Sequence, residues 1–128
     1  MTTRIEQELV RLRTRYPDLE YREHGQWVRL PTYRLPAGWS LETADVVFQI
    51  PVGFPGTPPY GIYVPNGLRF NGQAPGTPAS NQPPYAGGWL LLSWTPDEGQ
   101  WRVTTDPSTG ANLLNWVVGF GQRFREGA

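Results

Sequence analysis

The chain has 128 residues, enough for one domain with one core, and 38% of them are apolar, with six Trp, six Tyr and five Phe raising the area each buried position contributes. Eleven basic residues balance eleven acidic ones, so no net field draws nucleic acid or an anionic membrane. There is no cysteine and one histidine, which excludes disulfides, thiolate catalysis, Cys-based zinc sites and multi-His metal sites.

No cofactor or metal is implied. The N-terminus carries no signal-peptide h-region, and no apolar run approaches the roughly 18 residues of a membrane span, so a cytoplasmic location is the expectation. All eleven basic residues are arginine. Genome composition is one reading of that bias. Another is that a protein handling activated carboxyl groups gains from having no side-chain amine to be modified.

Thr3-Arg4-Ile5-Glu6 has the form of a capping box. Ile5, Leu9, Leu12 and Tyr16 follow at helical spacing and Pro17 ends the run, which predicts an amphipathic helix over 3–16. Its charges read as a solvated face, with an alternative role for Arg4, Arg11 and Arg15 as a row that docks a partner. Leu19 to Glu23 and Trp27 to Leu35 read as two strands joined at His24-Gly25, with Pro31 marking an edge or a bulge. His24 reads as a solvated turn residue. After the turn Leu35-Pro36-Ala37-Gly38-Trp39 comes a third strand, 44–50, with Val46, Phe48 and Ile50 on one face. Gly61 to Val64 forms a fourth.

From Val46 to Pro96 the only charged residue is Arg69. Residues 65–88 carry Pro65, Pro75, Pro78, Pro83, Pro84 and five glycines, and regular structure is not expected there. Phe70, Tyr85 and Trp89 predict that this segment packs on the body. Asp106-Pro107 reads as a helix start, and Leu113, Val117, Phe120 and Phe124 define the inner face of a helix over 107–125, with Leu114 and Trp116 flanking it. Gly110, Gly119 and Gly121 within it suggest close packing on the sheet. The expected class is α+β: an N-terminal helix, a four-stranded antiparallel meander, a long irregular segment and a C-terminal helix, with the helices on one side of the sheet.

This order resembles the ubiquitin-conjugating enzyme fold, as one such domain over 1–128. Phe54-Pro55-Gly56-Thr57-Pro58-Pro59 stands where that family has a "YP..PP" turn, and Val64-Pro65-Asn66 stands where it has "HPN". Trp101 followed by Asp106-Pro107 resembles the Trp-to-helix segment downstream of the family's cysteine, and eight residues before Trp101 is Ser93. The Leu35-to-Trp39 turn looks like a prokaryotic branch of the superfamily, whose members are encoded beside ubiquitin-like proteins, activating enzymes and isopeptidases. The departures are plain: the cysteine is absent and Val64 replaces the His. Asn66 remains, at the position whose amide stabilises the oxyanion in family members. An alternative alignment pairs Trp94-Thr95-Pro96 with the family's "W-S-P", places Ala86 at the cysteine position and leaves no nucleophile.

Two functions follow from the resemblance. One is a non-catalytic adaptor that holds a ubiquitin-like protein or an activating-enzyme-like protein, using the sheet, the 65–101 segment, Phe54 and the arginines of the first helix. An isopeptidase from the same operon is a further implied partner, whereas nucleic acid and membrane are not. The other is a carrier that forms an oxyester through Ser93, with Asp97 or Glu98 as base and Asn66 holding the oxyanion. Ser80 is a weaker nucleophile candidate. Apart from the resemblance, the aromatic content suggests a carbohydrate-binding surface.

Overall fold

The computed structural model describes residues 3–54, 56–57, 59, 61–78, 83–85, 87–92, 101–102, 104, 106 and 110–126, the backbone alone being described for 78, 120, 122, 123 and 126. The architecture is α+β, with two helices and an antiparallel sheet.

Helix α1 spans Arg4–Arg15, and the Thr3 hydroxyl accepts from the Glu6 amide at 3.1 Å, half of the expected capping box. Its last backbone bond runs from Tyr16 N to Leu12 O before Pro17 halts propagation. Leu9 and Leu12 are buried, and Ile5 and Tyr16 pack at the margin of the core. One charge departs from the solvated face predicted for this helix. Glu8 is buried, because it lies three residues after Ile5 and four before Leu12 and so falls inside the apolar stripe.

Strand β1 (Glu20–Arg22) pairs with β2 (Trp27–Arg34) through a turn that exposes His24 at its tip. Strand β3 (Thr43–Gln49) pairs with β2, and the register slips between Leu30 and Tyr33, the bulge that Pro31 foreshadowed. Leu30 opposes Val46 and Tyr33 opposes Ala44, so β2 holds one residue more than β3 over this interval. Without the extra residue, Leu30 and Tyr33 would point to opposite faces; with it, both face the helices. Thr32 supplies the bend at φ 54°, an uncommon setting for a β-branched residue.

Strand β4 (Ile62–Pro65) pairs with β3, and here the sheet departs from the four strands expected. Segment 65–88 contributes a short strand β5 (Thr77–Pro78), and Trp89–Leu92 forms β6, giving six strands in the order β1-β2-β3-β4-β6-β5. The physical reason lies in β4: Ile62, Tyr63 and Val64 are buried, so their backbone groups need a partner on the edge away from β3. The apolar run Trp89–Leu92 supplies it, with Ile62 opposite Leu92 and Pro65 opposite Trp89. Gly76 then lets β5 close on β6, since a Cβ there would collide with the Leu91 carbonyl oxygen.

Helix α2 spans Leu113–Glu126, shorter at its start than the 107–125 expected. The cap is Asn112, whose side-chain oxygen accepts from Asn115 N at 2.7 Å. Asp106 is exposed outside the helix, and Pro107 lies outside the described residues. Gly110 at φ 65° and the bond from Ala111 N to Arg102 O commit 110–111 to a turn, so the helix starts only afterwards. Gly110 is therefore no helix residue, and a Cβ on Gly121 would meet only ordinary contacts, so close packing does not require glycine there.

Both helices cover one sheet face. Leu9 and Leu12 of α1 and Leu113, Trp116, Val117 and Phe124 of α2 share a core with Val28, Leu30, Val46, Phe48, Ile62, Val64, Leu90 and Leu92. The Phe120 side chain lies outside the described residues. The other face carries a smaller cluster, Trp27, Val47, Tyr63 and Trp89, against which Tyr85 and Leu91 pack. No helix among the described residues is long and apolar enough to cross a membrane.

Candidate functional site

Strand β4 ends at Pro65, and a tight turn follows, closed by Leu68 N on Pro65 O. Asn66 is exposed on this turn, and its backbone N–H donates to Gly88 O at 3.0 Å, continuing the β4–β6 ladder. A Cβ on Gly88 would lie 3.6 Å from the Asn66 side chain, so that side chain lies beside the Gly88 backbone. The Arg69 guanidinium donates to the carbonyls of Asn66 and Leu68, both at 2.8 Å, which ties down the turn. The Leu35-to-Trp39 turn is pinned beside it. Ser40 and Arg69 exchange two bonds, Asn71 N donates to Gly38 O, and the Trp39 ring lies 5.1 Å from Phe70. Trp39 Nε1 in turn donates to Phe124 O at 2.9 Å, joining this corner to α2.

Ser93, Asp97, Glu98, Ser80, Ala86 and Trp94 lie outside the described residues. The ladder nonetheless constrains the expected Asn66–Ser93 pairing. Leu92, the residue before Ser93, sits opposite Ile62. Ile62 is four positions from Asn66, on the order of 13 Å at about 3.3 Å per residue. The described residues thus bring Asn66 to Gly88 and keep it away from Leu92.

The sequence-selected partner residues differ in how far they are open to solvent. Arg4 donates to Glu8 at 2.6 Å and to Thr104 O at 2.6 Å, so it serves the interior and not an exposed row. Arg11 is half-buried with Nε shielded from solvent and no partner for it among the described residues. Arg15 is exposed at the end of α1, with its guanidinium 6.0 Å from the Tyr16 ring. Phe54 is half-buried and packs against Trp101, ring centroids 6.3 Å apart.

The sequence reading missed the group on the outer face. Arg29 donates to Glu20 and Asp45, both at 2.7 Å, and lies 5.6 Å over the Tyr85 ring. The hydrogen bond to Asp45 raises the Arg29 pKa above its ordinary value. Arg22 donates to Pro84 O at 2.9 Å, and Trp89 Nε1 donates to Tyr85 O at 3.4 Å. The 83–85 segment therefore straps the outer cluster. Burial raises the Tyr85 pKa, with Glu20 adding to the effect and Arg22 and Arg29 opposing it. The alternation of Trp27, Arg29 and of Asp45, Val47 carried the signal, since each pair shares the outer face.

Every described aromatic side chain is buried or half-buried. No protein-family model, curated protein or solved structure matches this chain.

Proposed function

We propose that the protein is a ubiquitin-conjugating-enzyme-like adaptor that binds a ubiquitin-like protein or its activating enzyme and forms no covalent intermediate. The observation that carries this reading is the nearness of the Asn66 side chain to Gly88, fixed by the backbone bond from Asn66 N to Gly88 O. Asn66 occupies the family's oxyanion position, and a reactive group must lie beside it to benefit. In the alignment that pairs Trp94 with the family's Trp, the cysteine position falls on Ala86, two residues before Gly88. That alignment agrees with the contact and leaves the site without a nucleophile. A helix before the meander, a helix after it and both on one sheet face also support the resemblance.

The test is to incubate the protein with a candidate ubiquitin-like protein, its activating enzyme and ATP. The adaptor reading expects a stable complex by calorimetry and no covalent adduct. An adduct that survives reductant, is lost to hydroxylamine and disappears in Ser93→Ala would replace it with the oxyester carrier. Failure to bind either protein would remove the adaptor reading as well.

A further inference from the structure

Asn66 and Gly67 hold the central positions of the turn that Leu68 N closes on Pro65 O at 3.0 Å. Both are exposed, and a Cβ on Gly67 would meet nothing within 4 Å. Among the described residues the Gly67 amide makes no hydrogen bond. An unbonded amide directly after an asparagine can attack that side chain, and glycine puts no Cβ in the way. The chain has a second Asn-Gly pair, Asn71-Gly72, which is held differently. Asn71 and Gly72 lie at φ 47° and 81°, the tip of a hairpin closed in both directions by Phe70 N on Gln73 O and Gln73 N on Phe70 O, at 2.8 and 2.9 Å. Asn71 N also donates to Gly38 O at 2.8 Å.

The main restraint on the Asn66 turn, beyond its closing bond, is a side chain. Arg69 Nη1 donates to Asn66 O and to Leu68 O, both at 2.8 Å. For Gly67 N to reach the Asn66 side-chain carbon, the peptide between the two residues must rotate about the Asn66 Cα–C bond. That rotation carries Asn66 O away from the guanidinium. Arg69 is itself fixed, because its amide donates to the Ser40 hydroxyl at 3.0 Å and its carbonyl accepts from Ser40 N at 2.8 Å.

We propose that Asn66-Gly67 is a site of spontaneous deamidation whose rate is held down by the Arg69 clamp. The Gly67 nitrogen gives its proton to solvent base and bonds to the Asn66 side-chain carbonyl carbon, closing a succinimide. The side-chain nitrogen takes a proton from solvent and leaves as ammonia. Water then adds to one or the other ring carbonyl, and opening gives aspartate or isoaspartate with no net redox change. Either product puts a carboxylate where a neutral amide stood, in a stretch whose only charge from Val46 to Pro96 is Arg69. Isoaspartate also lengthens the main chain inside the turn, which pulls Leu68 N away from Pro65 O. The proposal concerns a residue of the adaptor reading but needs no partner, so either can fail without the other.

The test incubates the full chain in mildly alkaline buffer and follows Asn66 and Asn71 by protease digestion and fragment-ion mass spectrometry. Conversion is expected at Asn66 ahead of Asn71. Arg69→Gln should speed Asn66 at least about threefold, the measure of one lost hydrogen bond, and leave Asn71 unchanged. Gly67→Ala should abolish conversion at Asn66, and it fits because Gly67 is not left-handed and has open space beside it. Circular dichroism checks each fold, and Arg69→Met replaces Arg69→Gln should the latter unfold. No conversion at Asn66, faster conversion at Asn71, or undiminished conversion in Gly67→Ala overturns the site. An unchanged Asn66 rate without the guanidinium, or equal acceleration of both asparagines, overturns the clamp.

Discussion

Glu8 is the residue whose replacement should reveal most about how the two helices are joined. Its side chain is 1% exposed, one oxygen accepts from Arg4 Nε at 2.6 Å and the other accepts from the backbone amide of Leu113, the first residue of α2. Glu8→Ala removes both bonds. It leaves the Arg4 guanidinium, 17% exposed, with the Thr104 carbonyl but no carboxylate to pair with, and orphans an amide at the positive end of α2. Breaking a buried pair by removing one partner costs about 3–5 kcal/mol, and the partial exposure of Arg4 places the expected loss near about 3 kcal/mol. Glu8→Gln keeps an acceptor for Leu113 and loses only the charge, so about 1–2 kcal/mol is expected. Urea denaturation measures both, and a double-mutant cycle with Arg4→Met isolates the ion pair. A loss below about 1 kcal/mol for Glu8→Ala would refute the account, as would equal losses for Ala and Gln.

Two further outcomes follow from the aromatic residues. The Tyr85 hydroxyl is shielded from solvent and has no hydrogen-bond partner among the described residues, so Tyr85→Phe should be neutral or stabilise by up to about 1 kcal/mol in the same denaturation assay. A loss above about 1 kcal/mol would show that the hydroxyl is satisfied in solution. Burial pushes the Tyr33 pKa up to about 12 from an ordinary 10.0, with Arg125 and Arg15 opposing the rise. The folded state therefore holds this proton more tightly than the unfolded one. The contribution is complete below pH of about 10 and is lost as pH rises toward about 12. Discounted for solvent screening, it amounts to on the order of 1–2 kcal/mol. Tyr33→Phe should flatten the alkaline stability curve over that window, and an unchanged curve would refute the assignment.

The helices and the first four strands were legible because each buries one periodic face. The Thr3 cap, the Leu9 and Leu12 stripe, and the Val46, Phe48 and Ile50 alternation state their geometry locally. What failed was non-local. Asp106-Pro107 is a stronger helix start on paper than Asn112, yet the bond from Ala111 to Arg102 overrides it. Residues 65–88 looked irregular because their proline and glycine content forbids long strands. The demand for a partner on β4 recruited Thr77–Pro78 and Trp89–Leu92 regardless. The same limit applied to the site. Pro65-Asn66 was visible as a motif, but its neighbour Gly88 is set by the β4–β6 register, which no local spacing encodes.

Two charged groups among the described residues lie on opposite faces of the sheet. Arg29, Glu20 and Asp45 face outward with the Tyr85 strap, whereas Arg15, Arg34 and Arg125 gather around Tyr33 at the helix side. On the outer face each charge is answered within the chain. Arg29 meets two carboxylates, and Arg22 is spent on the Pro84 carbonyl. That face therefore gains little from a charged partner, since a newcomer must displace bonds already made. At the Tyr33 corner Arg15 and Arg34 meet no carboxylate among the described residues. The bulge at Pro31-Thr32 sets this side of the sheet, since it turns Tyr33 onto Tyr16 and Phe124.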